Sequence, residues 1–308
     1  MWRFMSIQNR NELLCTVNRI SCVINRKGCY RHLSRTSVLS VTDNTSIIQQ
    51  LQKVEGGKIK LEKFDDSKIA VLTIDNERIR NALSGSMMVQ LRDAINQLEE
   101  WKEGKGVILI GASSTFCSGA DLNLAKQFNS PEHGEAMCEL MQTTLTRLKR
   151  LPMISLAVIE GKALGGGAEL TTACDFRLIS KNAEIRFVHV KRGVTPGWGG
   201  GSRLVNIVGR RMALRLLAGS IKITAKDALQ YGLADDIISS DQVTLHAGMN
   251  WLKKIIDGPV NSIRGIKQIV TYADDLGTDQ ALQFERSVFT TVWGAPALME
   301  SLETKKKY

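Results

Sequence analysis

Proline occurs only five times in 308 residues, and no Pro-rich or Gly/Ser-rich linker divides the chain. The length suits one large domain or two ordinary ones, with a sizeable core. Apolar runs are all far shorter than the roughly 20 residues that span a bilayer, so no membrane partner is expected. Histidine is scarce: His32, His133, His189 and His246 lie far apart without metal-ligand spacing, and no structural zinc site is expected. The six cysteines, Cys15, Cys22, Cys29, Cys117, Cys138 and Cys174, include no Cys-x-x-Cys pair and follow no secretory signal. They read as free thiols in a reducing compartment. Familiar motifs are missing too. Gly-x-Gly-x-x-Gly fails because Leu170 stands where the third glycine should be, and neither Gly-Lys-Ser/Thr nor Gly-x-Ser-x-Gly occurs.

The net charge is +10, which hints at nucleic acid, but its placement weakens that reading. Residues 1–40 hold seven Lys/Arg and one acid, Glu12, which is +6 and leaves +4 for the other 268 residues. A small basic surplus in the body equally suits a phosphorylated or carboxylated small molecule. No aromatic-basic platform for RNA is apparent. Residues 1–45 are rich in Arg, Ser, Asn and Cys, the composition of a mitochondrial presequence or a disordered tail. They are set apart from the fold.

From about Ile59 the chain alternates strand and helix patterns. Lys58–Phe64 and Ile69–Ile74 read as a hairpin, and a basic loop from Asn76 to Arg80 leads to Asn81-Ala82-Leu83. Met87, Met88, Leu91, Ala94, Ile95 and Leu98 recur at helical spacing, more like core than binding surface. Val107–Ile110 reads as a strand that runs into the small-residue turn Phe116-Cys117-Ser118-Gly119-Ala120-Asp121-Leu122. Another helix ends before Pro152. Ile154–Ile159 then reads as a buried strand before Gly161-Lys162-Ala163-Leu164-Gly165-Gly166-Gly167-Ala168-Glu169-Leu170. There three glycines sit where a strand turns into a helix, so backbone N–H groups can face a ligand closely. Two such turns about 45 residues apart suggest a two-donor oxyanion hole. Ile185–Val190 reads as a short strand, Gly193–Gly201 as a glycine-rich loop, and Leu204 to Leu217 as one helix closed near Gly219. Thr224 looks like an N-cap, with Gly232 as the stop. From about Leu245 the pattern is helical to the end. The succession argues an α/β core with an α-helical extension.

These turns, with Cys174-Asp175, Gly193-Val194-Thr195-Pro196-Gly197-Trp198-Gly199-Gly200 and Asn81-Ala82-Leu83, resemble the crotonase (enoyl-CoA hydratase/isomerase) superfamily from about residue 58 onward. The resemblance implies a spiral of repeated ββα units over 58–240 and a C-terminal helical region, 241–308, that mediates a homotrimer or dimer of trimers. It implies an acyl-CoA thioester whose oxygen is held by the backbone N–H groups of Ala120 and Gly166. No metal or organic cofactor is implied. Gly119, Asp121, Leu122, Gly165, Pro196, Gly197 and Trp198 become candidates for lining the substrate, and Arg78 and Arg80 for meeting CoA phosphates. Gly166→Val is expected to abolish turnover in a folded protein.

One departure shapes the functional expectation. Family hydratases place two glutamates around an activating water. Glu169 matches the first, but His189 stands where the second is expected. Water addition needs base and acid placed together, so ordinary hydratase chemistry is in doubt. Loss of CO2 from a 2-alkylmalonyl-CoA needs less: a held thioester oxygen, a leaving carboxylate turned out of the thioester plane, and one acid. The resemblance implies ethylmalonyl-CoA, and more weakly methylmalonyl-CoA, as the substrate, disposed of as a carboxylase by-product in the cytosol. His189 or Glu169 handles the proton. Hydratase or isomerase activity is the alternative, and a non-enzymatic RNA-binding relative the third reading. Asp175 is expected to be structural, and Cys117 and Cys174 to be core.

Overall fold

The computed structural model describes residues 13–17, 20–24, 30–32, 41–239 and 244–303, with side chains from residue 46 onward. Contacts divide the chain into two units, residues 1–47 and 48–308. In the first, β1 (Leu13–Val17), β2 (Ile20–Ile24) and β3 (Tyr30–His32) form an antiparallel sheet in that order. The presequence reading falls mostly outside the described residues. A helix that the composition did not suggest, α1 (Val41–Gln52), precedes the expected hairpin.

The larger unit is built on six strands: β4 (Lys58–Phe64), β5 (Ile69–Asp75), β6 (Gly106–Gly111), β7 (Ile154–Ile159), β9 (Phe176–Ser180) and β12 (Asp236–Ile238). Their order is β12-β9-β7-β6-β5-β4, with only the β4–β5 hairpin antiparallel. The parallel strands β6 and β7 read as continuous apolar runs because both faces are covered. Ile108, Ile110, Leu156, Val158 and Leu178 pack on one face against Leu252, Ile256 and Ile263. A second sheet, β11-β10-β8, joins β8 (Lys162–Leu164) in parallel to β10 (Glu184–Arg186), with β11 (Ile223–Thr224) antiparallel at the edge.

Between these strands lie α2 (Gly85–Glu100), α3 (Leu122–Gln127), α4 (Pro131–Arg150), α5 (Gly166–Thr171), α6 (Gly200–Gly219) and α7 (Ala225–Gln230). Ser84 caps α2 through the Met87 N–H, and Met87 and Met88 are fully buried, as their spacing predicts. Thr224 and Asp227 form a reciprocal capping box on α7. Four helices close the described residues: α8 (Thr244–Ile255), α9 (Val260–Asp275), α10 (Thr278–Val292) and α11 (Pro296–Glu303).

Two expectations are corrected. The strand expected over Ile185–Val190 ends at Arg186, and His189–Arg192 is a 3-10 turn. The Arg186 carbonyl accepts the Gly165 N–H as the last ladder bond, after which Lys191 and Gly193 bond back to Val188 and Val190. The helix expected through Leu217 is broken at Gly209, whose φ of 75° and ψ of 159° are not helical.

Candidate active site

The site begins at Asn81, which is fully buried with φ of 55°. Its amide donates to the carbonyls of Ala112 and Thr115 and accepts from the Asn76 N–H, so one side chain ties the loop after β5 to the loop after β6. Leu83 then grips the next turn from both sides: its N–H donates to Gly119 and its carbonyl accepts from Asp121. Strand-like alternation turns the N–H of the residue between them, Ala120, away from Leu83. Cys117 pairs with Ala163 on β8, which brings this turn beside the three glycines.

Each glycine there is required for its own reason. Gly165 has φ of 54° and ψ of −121°, which an L side chain rarely adopts. A Cβ on Gly167 would overlap the Cys117 carbonyl, and one on Gly166 would overlap the Trp198 ring. Gly119 has φ of 99°, and its Cβ position lies 3.1 Å from the Gly166 nitrogen. The Ala120 turn and the Gly166 N–H are therefore neighbours.

Glu169 does not stand free in the pocket. It is 1% exposed, and both carboxylate oxygens face the loop that opens α6. Oε2 accepts the N–H groups of Trp198 at 2.9 Å and Gly200 at 2.8 Å. Oε1 accepts Gly197 at 3.3 Å and meets His189 Nε2 at 2.9 Å. A carboxylate has about four lone-pair sites, and these four contacts fill them. The acceptor it meets assigns the hydrogen of His189 to Nε2. His189 Nδ1 is buried and has no hydrogen-bond partner among the described residues.

The other candidates are placed less centrally. The N–H groups of Gly197 and Trp198 are committed to Glu169, and Trp198 is 3% exposed beneath Gly166. Pro196 is half-buried at the same loop. Asp121 caps α3 through the Asn123 N–H, and Leu122 is 57% exposed. Arg78 and Arg80 are exposed, on a turn held to the site where Ser118 bonds to the carbonyls of Ile79 and Arg80. Gly166→Val cannot probe the Gly166 N–H alone, because its side chain would displace Trp198.

Cys117 and Cys174 are buried, and burial pushes both thiols up to about 12. Cys138 lies beside the loop that holds Glu169, since a Cβ on Gly197 would come within 2.8 Å of its sulfur. Burial raises its thiol, helped by the charges of Glu169 and Glu135. Asp175 ties β7 to α9: it accepts the Ser155 N–H and hydroxyl and pairs with the buried Lys267. Sequence reasoning passed over Arg203, whose guanidinium donates to Thr172, Glu169 and Trp198. No local pattern marks it, because its acceptors lie on another helix and on the loop.

Two small-residue turns from separate strand ends, meeting beside a buried Glu, carry the outline of one family. The model of the enoyl-CoA hydratase/isomerase family matches residues 65–306, and the chain belongs to that family. Enoyl-CoA hydratase from Bacillus anthracis superposes with a TM-score of 0.74 at 27% identity, covering 80% of this chain and 94% of that one. Among relatives, a protein named ethylmalonyl-CoA decarboxylase from Gallus gallus is 48% identical over 267 residues, 86% of this chain and 89% of its own length. One of the same name from Danio rerio is 45% identical over 294 residues, 94% of this chain and 97% of its own.

Proposed function

We propose that this chain is a decarboxylase of ethylmalonyl-CoA, releasing CO2 and leaving butyryl-CoA. The contact between Glu169 and His189 carries this reading. A hydratase places a water between two acid-base groups, and 2.9 Å leaves no room for one. With its lone pairs taken by four donors, Glu169 has none left to draw a proton from water. The names of the relatives agree with a reaction that needs no such base.

In the proposed reaction the thioester oxygen lies between the N–H groups of Ala120 and Gly166. The bond from C2 to the carboxylate breaks, CO2 leaves, and its electron pair becomes an enolate whose charge settles on that oxygen. Donors already in place stabilise this charge without reorganising, worth about 3–4 kcal/mol for one donor. His189 faces the substrate carboxylate through Nδ1, the ring nitrogen that Glu169 leaves free. A proton carried there then passes to C2, and solvent replaces it. Glu169 fixes the ring and does not itself transfer the proton. Substrate contacts are assigned to Gly119, Gly165, Leu122 and Trp198, and CoA phosphate contacts to Arg78 and Arg80.

Methylmalonyl-CoA is proposed as a weaker substrate, and removal of carboxylase by-products in the cytosol as the setting. Among the described residues no helix is long and apolar enough to cross a membrane. A homotrimer or dimer of trimers is proposed, supported by apolar side chains left exposed on the closing helices, among them Val270 at 64% and Trp293 at 67%.

Incubating the protein with ethylmalonyl-CoA and crotonyl-CoA, and weighing the products, tests the reading. Loss of CO2 from the first is expected. Gain of water by the second, with ethylmalonyl-CoA unchanged, would establish the hydratase instead.

A further inference from the structure

Arg203 occupies the first turn of α6, the end of a helix where a cation gains nothing from the macrodipole. Its guanidinium turns back across the site. Nε donates to Thr172 Oγ1 at 3.1 Å, and Nη2 donates to the Trp198 carbonyl at 2.8 Å and the Glu169 carbonyl at 3.3 Å. Burial pushes the guanidinium below its ordinary range, opposed by the charge of Glu169. A half-buried cation placed against its helix dipole is costly unless its bonds hold something in place.

What it holds is the loop carrying Trp198. The indole lies so close over Gly166 that a Cβ there would overlap it. On another side of Gly166, a Cβ added to Gly119 would come within 3.1 Å of its nitrogen, so the Gly119 turn packs close there. The Gly166 N–H is thus set between a loop anchored by Arg203 and a turn anchored by Leu83.

We propose that Arg203 is a positioning residue: by anchoring the Trp198 carbonyl, it holds the indole against Gly166 and aims that N–H at the thioester oxygen. This inference rests on the acyl-CoA reading above and adds a residue to it. The physical reason is distance. Oxyanion donors act at about 2.7–3.1 Å, and a misplacement of about 1 Å costs on the order of a hundredfold in rate.

The test uses the full chain with Arg203→Met, Arg203→Lys, Trp198→Phe and the Met/Phe double variant. Two quantities are read: CO2 release from ethylmalonyl-CoA, and the infrared stretch of the thioester carbonyl of bound butyryl-CoA. Wild type is expected to lower the stretch on binding. Arg203→Met and Trp198→Phe should each lose much of that lowering, with kcat down about tenfold or more and KM within about threefold. The double variant should be no worse than the worse single one, and Arg203→Lys should recover part of the loss. A fully lowered stretch with unchanged kcat in Arg203→Met, or losses that multiply in the double variant, would overturn the proposal. Should Arg203→Met not fold, a wild-type stretch in Trp198→Phe overturns it. No lowering in wild type sinks the acyl-CoA reading itself, a different result from failure of Arg203.

Discussion

His189 Nε2 stands 2.9 Å from Glu169 Oε1, and neither group is free to act without the other. The carboxylate is the anion at the start of α6, where unpaired N–H groups and the helix dipole favour negative charge. The imidazole is its one side-chain donor among these contacts, so the ring is oriented by a group that is itself held by backbone.

Glu169→Gln should lower both stability and turnover. A glutamine offers one acceptor oxygen, so its NH2 must face either the Gly197 N–H or those of Trp198 and Gly200, backbone groups that only donate. Leaving buried donors unpaired costs about 1–3 kcal/mol each. Urea denaturation should show a lowered midpoint, and CO2 release should fall about a hundredfold. Wild-type stability in this variant would contradict the four-donor arrangement.

His189→Gln separates chemistry from folding. The three backbone donors to Glu169 remain, so the denaturation midpoint should move little. CO2 release should still fall about a hundredfold, the usual contribution of a positioned acid. Full activity would remove His189 from the proton path.

Asn81→Ala should destabilise the protein by about 3 kcal/mol, since the buried Asn81 amide makes three hydrogen bonds that are lost together and the left-handed backbone favours Asn over Ala. Activity should fall with it, because the Gly119–Ala120 turn loses its tie to the loop after β5. Thermal unfolding with parallel assays checks both.

The buried thiols should resist alkylation. With Cys117 and Cys174 pushed up to about 12, only about one part in ten thousand is thiolate at pH 8, and access is closed besides. Mapping iodoacetamide adducts should find Cys138 labelled in the native protein, and Cys117 and Cys174 only after denaturation. Labelling either buried thiol first would contradict the burial of Cys117 and Cys174.

Much of the fold was readable from local pattern. The β4–β5 hairpin, the strands β6 and β7, the cap of α7 and the core methionines follow from periodicity and turn chemistry over short windows. The last residues of the Ile185–Val190 run did not, because β10 ends when its ladder partner β8 does, and the alternation of apolar residues carries no record of that. Gly209 was missed for a related reason: apolar spacing continues across it, while its backbone leaves the helix.

By itself the sequence determined where small residues must stand. Gly119 and Gly165 answer a local need, a positive φ, whereas Gly166 and Gly167 are small because Trp198 and the Cys117 carbonyl come close in space. It also determined that His189 occupies the position where the family resemblance calls for a second glutamate. Only the tertiary structure decided what Glu169 does. Its donors at Gly197, Trp198 and Gly200 lie 28, 29 and 31 residues away, and Arg203 meets its carbonyl from 34 residues on. A carboxylate becomes base, acid or anchor according to which donors surround it, and that is settled where separate turns meet in space.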